Sequence, residues 1–468
     1  MALRHSLLAL GGLLLMLSGP AQAHGPDRDD AADAQDRYDR DTAGRAVEER
    51  GEIAERAERA AGRATEDLAK VDEDRAEDEA KAAAEGAEEA EELAEELAEE
   101  ASEQARRDDD DDDRSNSGES AMMRDLGDSE SAEHDDDGFP VRRGEVVGID
   151  LAAATIRSAE DRGFRVIERQ HLPSLGRELI RLEAPRGMTA LEARQNIRAL
   201  DPGATVDLVH YYGLSFAAGA KPRPVRTGGP QPRSGEALVV GVIDTAVEPH
   251  KALGVARIIP WKSGDLPGAP AEHGTAVASI IAGHGRATIY SANIFRGPPE
   301  RPFTSAEVIA GAIEWMLGND IPTINMSLAG PRNAILDRLV RDALAKGRSV
   351  VAAAGNGGPS APPAYPAAVP GVIAVTAVDK DMHVYRYANR GKYISVSAPG
   401  VGVVAAFTRG GMARFTGTSF AAPHIAGWIA RCRARGEKSS DCQIRLRKSA
   451  RDLGTAGFDE TYGFGFIP

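Results

Sequence analysis

The chain has 468 residues, with 72 Asp and Glu against 56 Lys and Arg, two cysteines and 5% aromatic residues. That length suits two or three globular units, and two cysteines cannot staple a chain of this size, so a disulfide-built miniprotein is excluded. The charge is segregated: residues 24–137 hold 44 acidic and 15 basic side chains, a net of −29, and residues 138–468 hold 28 acidic and 40 basic, a net of +12, which excludes a single uniform body.

Only one long apolar run occurs, Leu7 to Leu17. Eleven residues are too few to span a bilayer, so an integral membrane protein is not expected. Arg4 and His5 precede the run and Ala21-Gln22-Ala23 follows it. A basic start, an apolar middle and an A-x-A end read as a secretory signal over 1–23, cleaved after Ala23, and place the product in the periplasm or outside the cell. In that oxidising compartment Cys432 and Cys442 are expected to form a disulfide.

Residues 24–137 form an acidic, low-complexity extension. Ala60 to Ala105 favours helix by propensity. Leu93 and Leu97 share a face without a sustained heptad, so no coiled coil is expected. Six aspartates, Asp108 to Asp113, then repel one another. The segment reads as solvated, partly helical and largely disordered, because it has little apolar surface to offset ordering entropy. Binding of a basic partner or of calcium is the second reading, and the aspartate run lacks the glycine and closing glutamate of a calcium loop.

Residues 138–212 change character. Glu145 to Asp150 predicts a strand, Ala152 to Asp161 a helix, and Phe164 to Gln170 and Glu178 to Glu183 two further strands. Thr189 with Glu192 at the capping-box position opens a helix running to Leu200, and Thr205 to Tyr212 is a fourth strand. This is a small α+β unit of order βαββαβ, a plan that by itself carries no function. Residues 213–236, rich in proline, paired glycine and arginine, read as an exposed linker open to proteolysis.

From Ala237 the pattern is α/β. Ala237 to Ile243 is a continuous apolar run ending in Asp244, which predicts a buried parallel strand with a carboxylate at its C-terminal edge, where ligands of such sheets gather. His273-Gly274-Thr275 opens an apolar helix. Thr323 to Ala329 and Val350 to Gly355 predict further buried strands, the second leading into Asn356. Gly417-Thr418-Ser419 stands at the mouth of a helix that runs past Pro423-His424.

Taken in this order, the blocks resemble the catalytic domain of subtilisin-like serine proteases over residues 237–468. The resemblance implies a mostly parallel sheet with helices on both faces. It implies catalytic roles for Asp244, His273 and Ser419, and an oxyanion role for Asn356. The stretch Ser327-Leu328-Ala329-Gly330 resembles the substrate-binding strand, and with Ala352-Ala353-Ala354-Gly355 it is expected to wall an uncharged pocket. Tyr462 to Ile467 resembles the family's closing stretch.

The chemistry needs these residue types. A serine hydroxyl requires a base within hydrogen-bond reach, an imidazole titrates near neutrality, and a carboxylate fixes its tautomer. Three departures stand out: Ala246 where glycine is usual, Ala276 where a second histidine is common, and Phe420 in place of a methionine. The first raises a question about the backbone after Asp244, and none removes a reacting group.

By position, the small unit over 138–212 resembles the family's propeptide, an inhibitor and folding aid. The expected partners are therefore protein or peptide substrates and the chain's own propeptide. No nucleic-acid partner is expected, since no aromatics interleave with the basic stretch Arg431 to Arg451. No metal or cofactor is expected either; structural calcium is known in relatives, and its ligands are not identifiable here. Two junctions are open, a cut after Tyr212, which with the uncharged pocket implies a large apolar or aromatic group on the acyl side of the cleaved bond, and a cut further along the linker, for instance after Phe216. The competing functional reading is an inactive relative serving as a binding or scaffold protein through its acidic extension.

Overall fold

The computed structural model describes residues 132–214, 223–225, 237–262, 269–297 and 302–468. Ala23 with the apolar run, and the acidic extension as far as 131, lie outside the described residues. Among the described residues no helix is long and apolar enough to cross a membrane.

The small unit begins with β1 (Ala132–His134), ahead of the expected boundary at 138, and continues through β2 (Pro140–Ile149), α1 (Ala153–Glu160), β3 (Arg165–Leu172), β4 (Arg177–Glu183), α2 (Ala190–Leu200) and β5 (Thr205–Leu214). The capping box forms at α2: the Thr189 side chain accepts from the Glu192 N–H at 3.2 Å, and the Glu192 carboxylate accepts from the Thr189 N–H at 2.8 Å. All pairings in this sheet are antiparallel, with β5 and β4 flanking β2, β3 beyond β4, and β1 on the start of β2. Strand alternation splits its apolar residues between two faces. Val146, Ile180, Leu182 and Leu208 pack with Ile156, Ala193 and Ile197 of α1 and α2, whereas Val147, Ile149, Leu179 and Val209 point the other way.

The large unit carries β7 (Leu238–Asp244), β8 (Arg257–Lys262), β9 (Ala287–Asn293), β11 (Thr323–Met326), β13 (Ser349–Ala353), β14 (Ile373–Val378) and β15 (Ile394–Pro399) in one sheet, ordered β15-β14-β13-β11-β7-β9-β8. Every pairing is parallel. Parallel sheets need crossovers and both faces covered, so helices alternate with the strands. Helices α4 (Ala306–Gly318) and α5 (Ala334–Ala345) cover one face, and α3 (Glu272–Gly283) and α6 (Thr418–Ala434) the other. Their short companions are β6 (Arg223–Val225), β10 (Phe303–Ser305), β12 (Leu328–Ala329), the hairpin β16 (Val403–Ala406) and β17 (Met412–Phe415), and α7 (Ser439–Ser449). Cys432 at the end of α6 is bridged to Cys442 in α7.

The outward face of the small sheet is not left to water. Val147, Leu179 and Val209 share one apolar core with Ile309 and Ile313 of α4 and Leu336 and Leu339 of α5.

Candidate functional site

Asp244, His273, Asn356 and Ser419 converge at the C-terminal edge of the large sheet. Asp244 ends β7 and is fully buried. His273 is the second residue of α3, and its Nδ1 lies 2.8 and 3.0 Å from the two Asp244 carboxylate oxygens. The Thr245 N–H donates to the same carboxylate at 2.6 Å, and the Thr245 hydroxyl accepts from the Gly274 N–H at 2.8 Å. Gly274 is required there: a Cβ would lie 2.4 Å from the Thr245 carbonyl oxygen and 2.7 Å from that of Ala246. Ala246 itself is not among the described residues with positive φ, so its backbone is one any residue adopts, and alanine in place of glycine costs nothing conformationally.

Ser419 opens α6 behind Gly417, whose φ of 146° suits glycine alone. A proline inside α6 explains how the serine is anchored. Pro423 has no N–H to give the carbonyl four residues back, which is that of Ser419. The Ser327 hydroxyl donates to that carbonyl instead, at 2.9 Å, while the Ser419 Oγ lies 3.1 Å from the Ser327 carbonyl oxygen. Asn325 Nδ2 in turn donates to Ser327 Oγ at 2.9 Å. Sequence reasoning placed Ser327 in the substrate strand and missed its hold on the helix of Ser419; the signal was Pro423, at the one position in α6 that frees the Ser419 carbonyl.

Asn356 follows β13, and its Oδ1 accepts from both the Thr418 N–H and the Thr418 hydroxyl at 3.1 Å. With Oδ1 engaged, the amide presents Nδ2 as its donor end. The preceding Gly355 has φ of 101°, and a Cβ there would meet Ala364 and Asn389 at 2.9 Å. Phe420 sets its ring 5.0 Å from the imidazole of His273 and 5.0 Å from Phe415, forming an aromatic wall beside the imidazole.

Of the expected pocket walls, Leu328, Ala329, Ala352, Ala353 and Ala354 are buried. Ala352 belongs to the core under α4 and α5, and Ala353 to the core under α3 and α6. The alternation of β13 therefore prevents the two side chains from facing the same space.

What fills the neighbouring groove is the end of β5. Tyr211, Tyr212 and Gly213 pair antiparallel with Ser305, Thr304 and Phe303 of β10, and Gly213 and Leu214 pair antiparallel with Ala329 and Leu328 of β12. Tyr212 does not end the strand, as the sequence suggested; β5 runs on to Leu214. Tyr212 is fully buried, its ring lies on Gly330, where a Cβ would come within 2.4 Å, and its hydroxyl donates to the Pro331 carbonyl at 3.2 Å. Burial, with Asp207 and Asp337 nearby, pushes this phenol well above its ordinary range.

Polar contacts join the small unit to the large one at helix ends. Asp207 accepts from the Ala334 N–H at the start of α5 at 2.7 Å, and Glu314 of α4 accepts from the Ser174 and Leu175 N–H groups at 2.7 and 3.2 Å. Asn333 caps α5 with Oδ1 and donates Nδ2 to the Leu208 carbonyl and to His210 Nδ1, both at 2.9 Å. His210 Nε2 meets Asp135 at 3.0 Å. Arg177 bridges Asp342 of α5 and Asp150 at 3.0 and 2.8 Å.

A hydroxyl at a helix mouth, an imidazole oriented by a buried carboxylate, and an amide donor fixed beside the hydroxyl are the parts nucleophilic acyl transfer requires. Comparison with known proteins agrees. The profile described as Subtilase family matches residues 235–465. Subtilisin DY of Bacillus licheniformis is 33% identical over 50% of this chain and 89% of its own length. The chain belongs to the subtilase family. The minor extracellular protease Epr of Bacillus subtilis is 31% identical over 50% of this chain, and the match spans only 38% of that relative's length. In fold, the chain is similar to fervidolysin from Fervidobacterium pennivorans, described as a keratinolytic enzyme related to subtilisin, with a TM-score of 0.58 and 22% identity over 70% of this chain and 60% of that one. This subtilase is thus a serine peptidase by family.

Proposed function

We propose that the subtilase is made as an exported precursor of an endopeptidase, inhibited by its own small unit and matured by cutting the chain beyond Leu214. The observation that carries this reading is β5 itself, an extended stretch of the chain held by backbone pairing between β10 and β12. Ser327, the residue before β12, touches Ser419. Leu328 lies opposite Leu214, and Ser327 is one step nearer Ser419, so in the cleavage-competent complex we assign the scissile carbonyl to the residue that follows Leu214 in the sequence. The bond offered to Ser419 is then Ser215–Phe216.

In the reaction, Ser419 Oγ bonds to the scissile carbonyl carbon as its proton passes to His273 Nε2. Asp244 holds the Nδ1–H and stabilises the imidazolium. Charge on the carbonyl oxygen is taken by Asn356 Nδ2 and the Ser419 N–H, at the positive end of α6. The C–N bond breaks as His273 returns the proton to the leaving amine, and water then releases the acyl group by the same steps.

This register revises the specificity expected from the sequence. Tyr212 becomes the fourth residue on the acyl side, so the demand for a large aromatic group falls there, against Gly330. A small residue stands beside the scissile bond. The uncharged surroundings still disfavour a cation next to that bond. The test is N-terminal sequencing of the mature product from wild type and Ser419→Ala. A start at Phe216 in wild type that is absent from the variant supports self-processing, and the same cut in both proteins defeats it. Labelling of Ser419 by a fluorophosphonate after processing tests the hydrolase itself.

A further inference from the structure

Glu307 is the second residue of α4, two residues beyond the edge strand that pairs with β5, and is only 5% exposed. Its Oε1 accepts from the Ser305 hydroxyl at 2.7 Å and lies 3.1 Å from Arg142 of the small unit. Its Oε2 is buried and meets no hydrogen-bond partner among the described residues. The same guanidinium reaches Ser305 Oγ at 3.5 Å and lies near the phenol of Tyr211. Tyr211 is the residue opposite Ser305 in the register. So the side chain of whatever residue stands opposite Ser305 projects to the place where a cation now neutralises Glu307.

When the small unit leaves, it takes Arg142 with it. Glu307 is left with the Ser305 hydroxyl, and the place of the guanidinium is open to another donor. A part-buried carboxylate without its cation is costly, and a basic side chain arriving on a substrate strand regains that interaction.

We propose that in the processed subtilase Glu307 forms an acidic subsite that takes a Lys or Arg side chain of the substrate at the residue opposite Ser305, the place Tyr211 holds in the precursor. The favoured substrates are extended polypeptides with a basic residue four positions before the residue that supplies the scissile carbonyl, and the large apolar group at Tyr212's place directly after it. This inference rests on the self-processing register above.

The experiment uses the processed wild-type enzyme and two peptides built on residues 210–217, one with Arg and one with Gln in place of Tyr211. The expected ratio of kcat/KM is about tenfold or more in favour of Arg, the size of one charge-assisted contact, and it falls as salt is raised. In Glu307→Gln the ratio should drop to near one. A ratio near one in the wild type, or one that Glu307→Gln leaves intact, overturns the subsite. Should that variant fail to fold, moving the Arg one position back, to the place of His210, decides in the wild type alone: loss of the preference supports the assignment, and an equal preference at both positions refutes it. Cleavage of the Gln peptide without discrimination defeats the subsite but leaves the peptidase reading standing, whereas cleavage of neither peptide defeats both.

Discussion

In the large sheet, β7, β11, β13 and β14 are buried on both faces by helices of the same unit, and Val350, Val351, Ala352 and Ala353 alternate between its two cores. The small sheet is antiparallel and covers only one face with its own helices; its other face is completed by α4 and α5 of the large unit. One core of the large unit is thus shared with the small one, the other is its own, and the small unit covers only one of its two faces by itself. On the proposed maturation, the unit that is removed would leave behind the helices that complete its second face, so its isolated form is expected to be the less stable of the two.

The sharpest test of the division of labour is Ser419→Ala. Turnover should fall by about 10⁶-fold, as it does when the corresponding serine of subtilisin itself is removed, with the circular dichroism and melting of the precursor unchanged. Retained turnover would remove chemistry from the large unit altogether.

Tyr212→Ala addresses the borrowed face. Deleting a fully buried ring against Gly330 should cost about 3–5 kcal/mol. The loss should appear as weaker inhibition by the cut small unit, with the melting of the mature enzyme unaffected. Unchanged inhibition would mean that the docking does not depend on the cleft.

Asn356→Ala belongs to the large unit alone. It should lower kcat by about 10²–10³, the loss found in subtilisin for its oxyanion asparagine, with little change in KM. A change confined to KM would point to a binding role instead.

Replacing Cys432 and Cys442 together by serine removes the tie between α6 and α7, a loop with a sequence separation of 10. On the chain-entropy account the mature enzyme should lose about 2–3 kcal/mol by denaturant titration. The affinity for the small unit should not move, since the bridge lies outside that interface.

The smallest expected effect is at Asn333→Ala, which strips the α5 cap and the bonds to Leu208 and His210. About 1–2 kcal/mol should be lost from the precursor and less from the mature enzyme, where only the cap is at stake. Equal losses in both forms would show that the contact with the small unit contributes nothing.

Much of this molecule is local and was therefore legible. Asp244, His273, Asn356 and Ser419 stand in recognisable blocks, and Gly417 beside Ser419 is fixed by its own φ, whereas Gly274 and Thr418 answer to Thr245 and Asn356 in other blocks. Thr189 and Glu192 likewise announce α2, because a capping box spans three residues. Such signals are written in consecutive residues and survive being read without a structure.

The sequence thus determined the α/β class, the βαββαβ order, the four polar groups of the site and the pairing of Cys432 with Cys442. Only the tertiary structure decided how far β5 extends, because Gly213 and Leu214 have no strand signal of their own and are held by Phe303 and by Leu328 and Ala329, residues far along the chain. It alone placed Asp207 on the N-terminus of α5, Glu314 on the turn at Ser174, and Arg142 on Glu307. The physical reason is common to all of them. Edge-strand pairing, helix-end capping from another unit and buried ion pairs depend on which surfaces meet, and neither periodicity nor propensity within one segment encodes a partner so far along the chain.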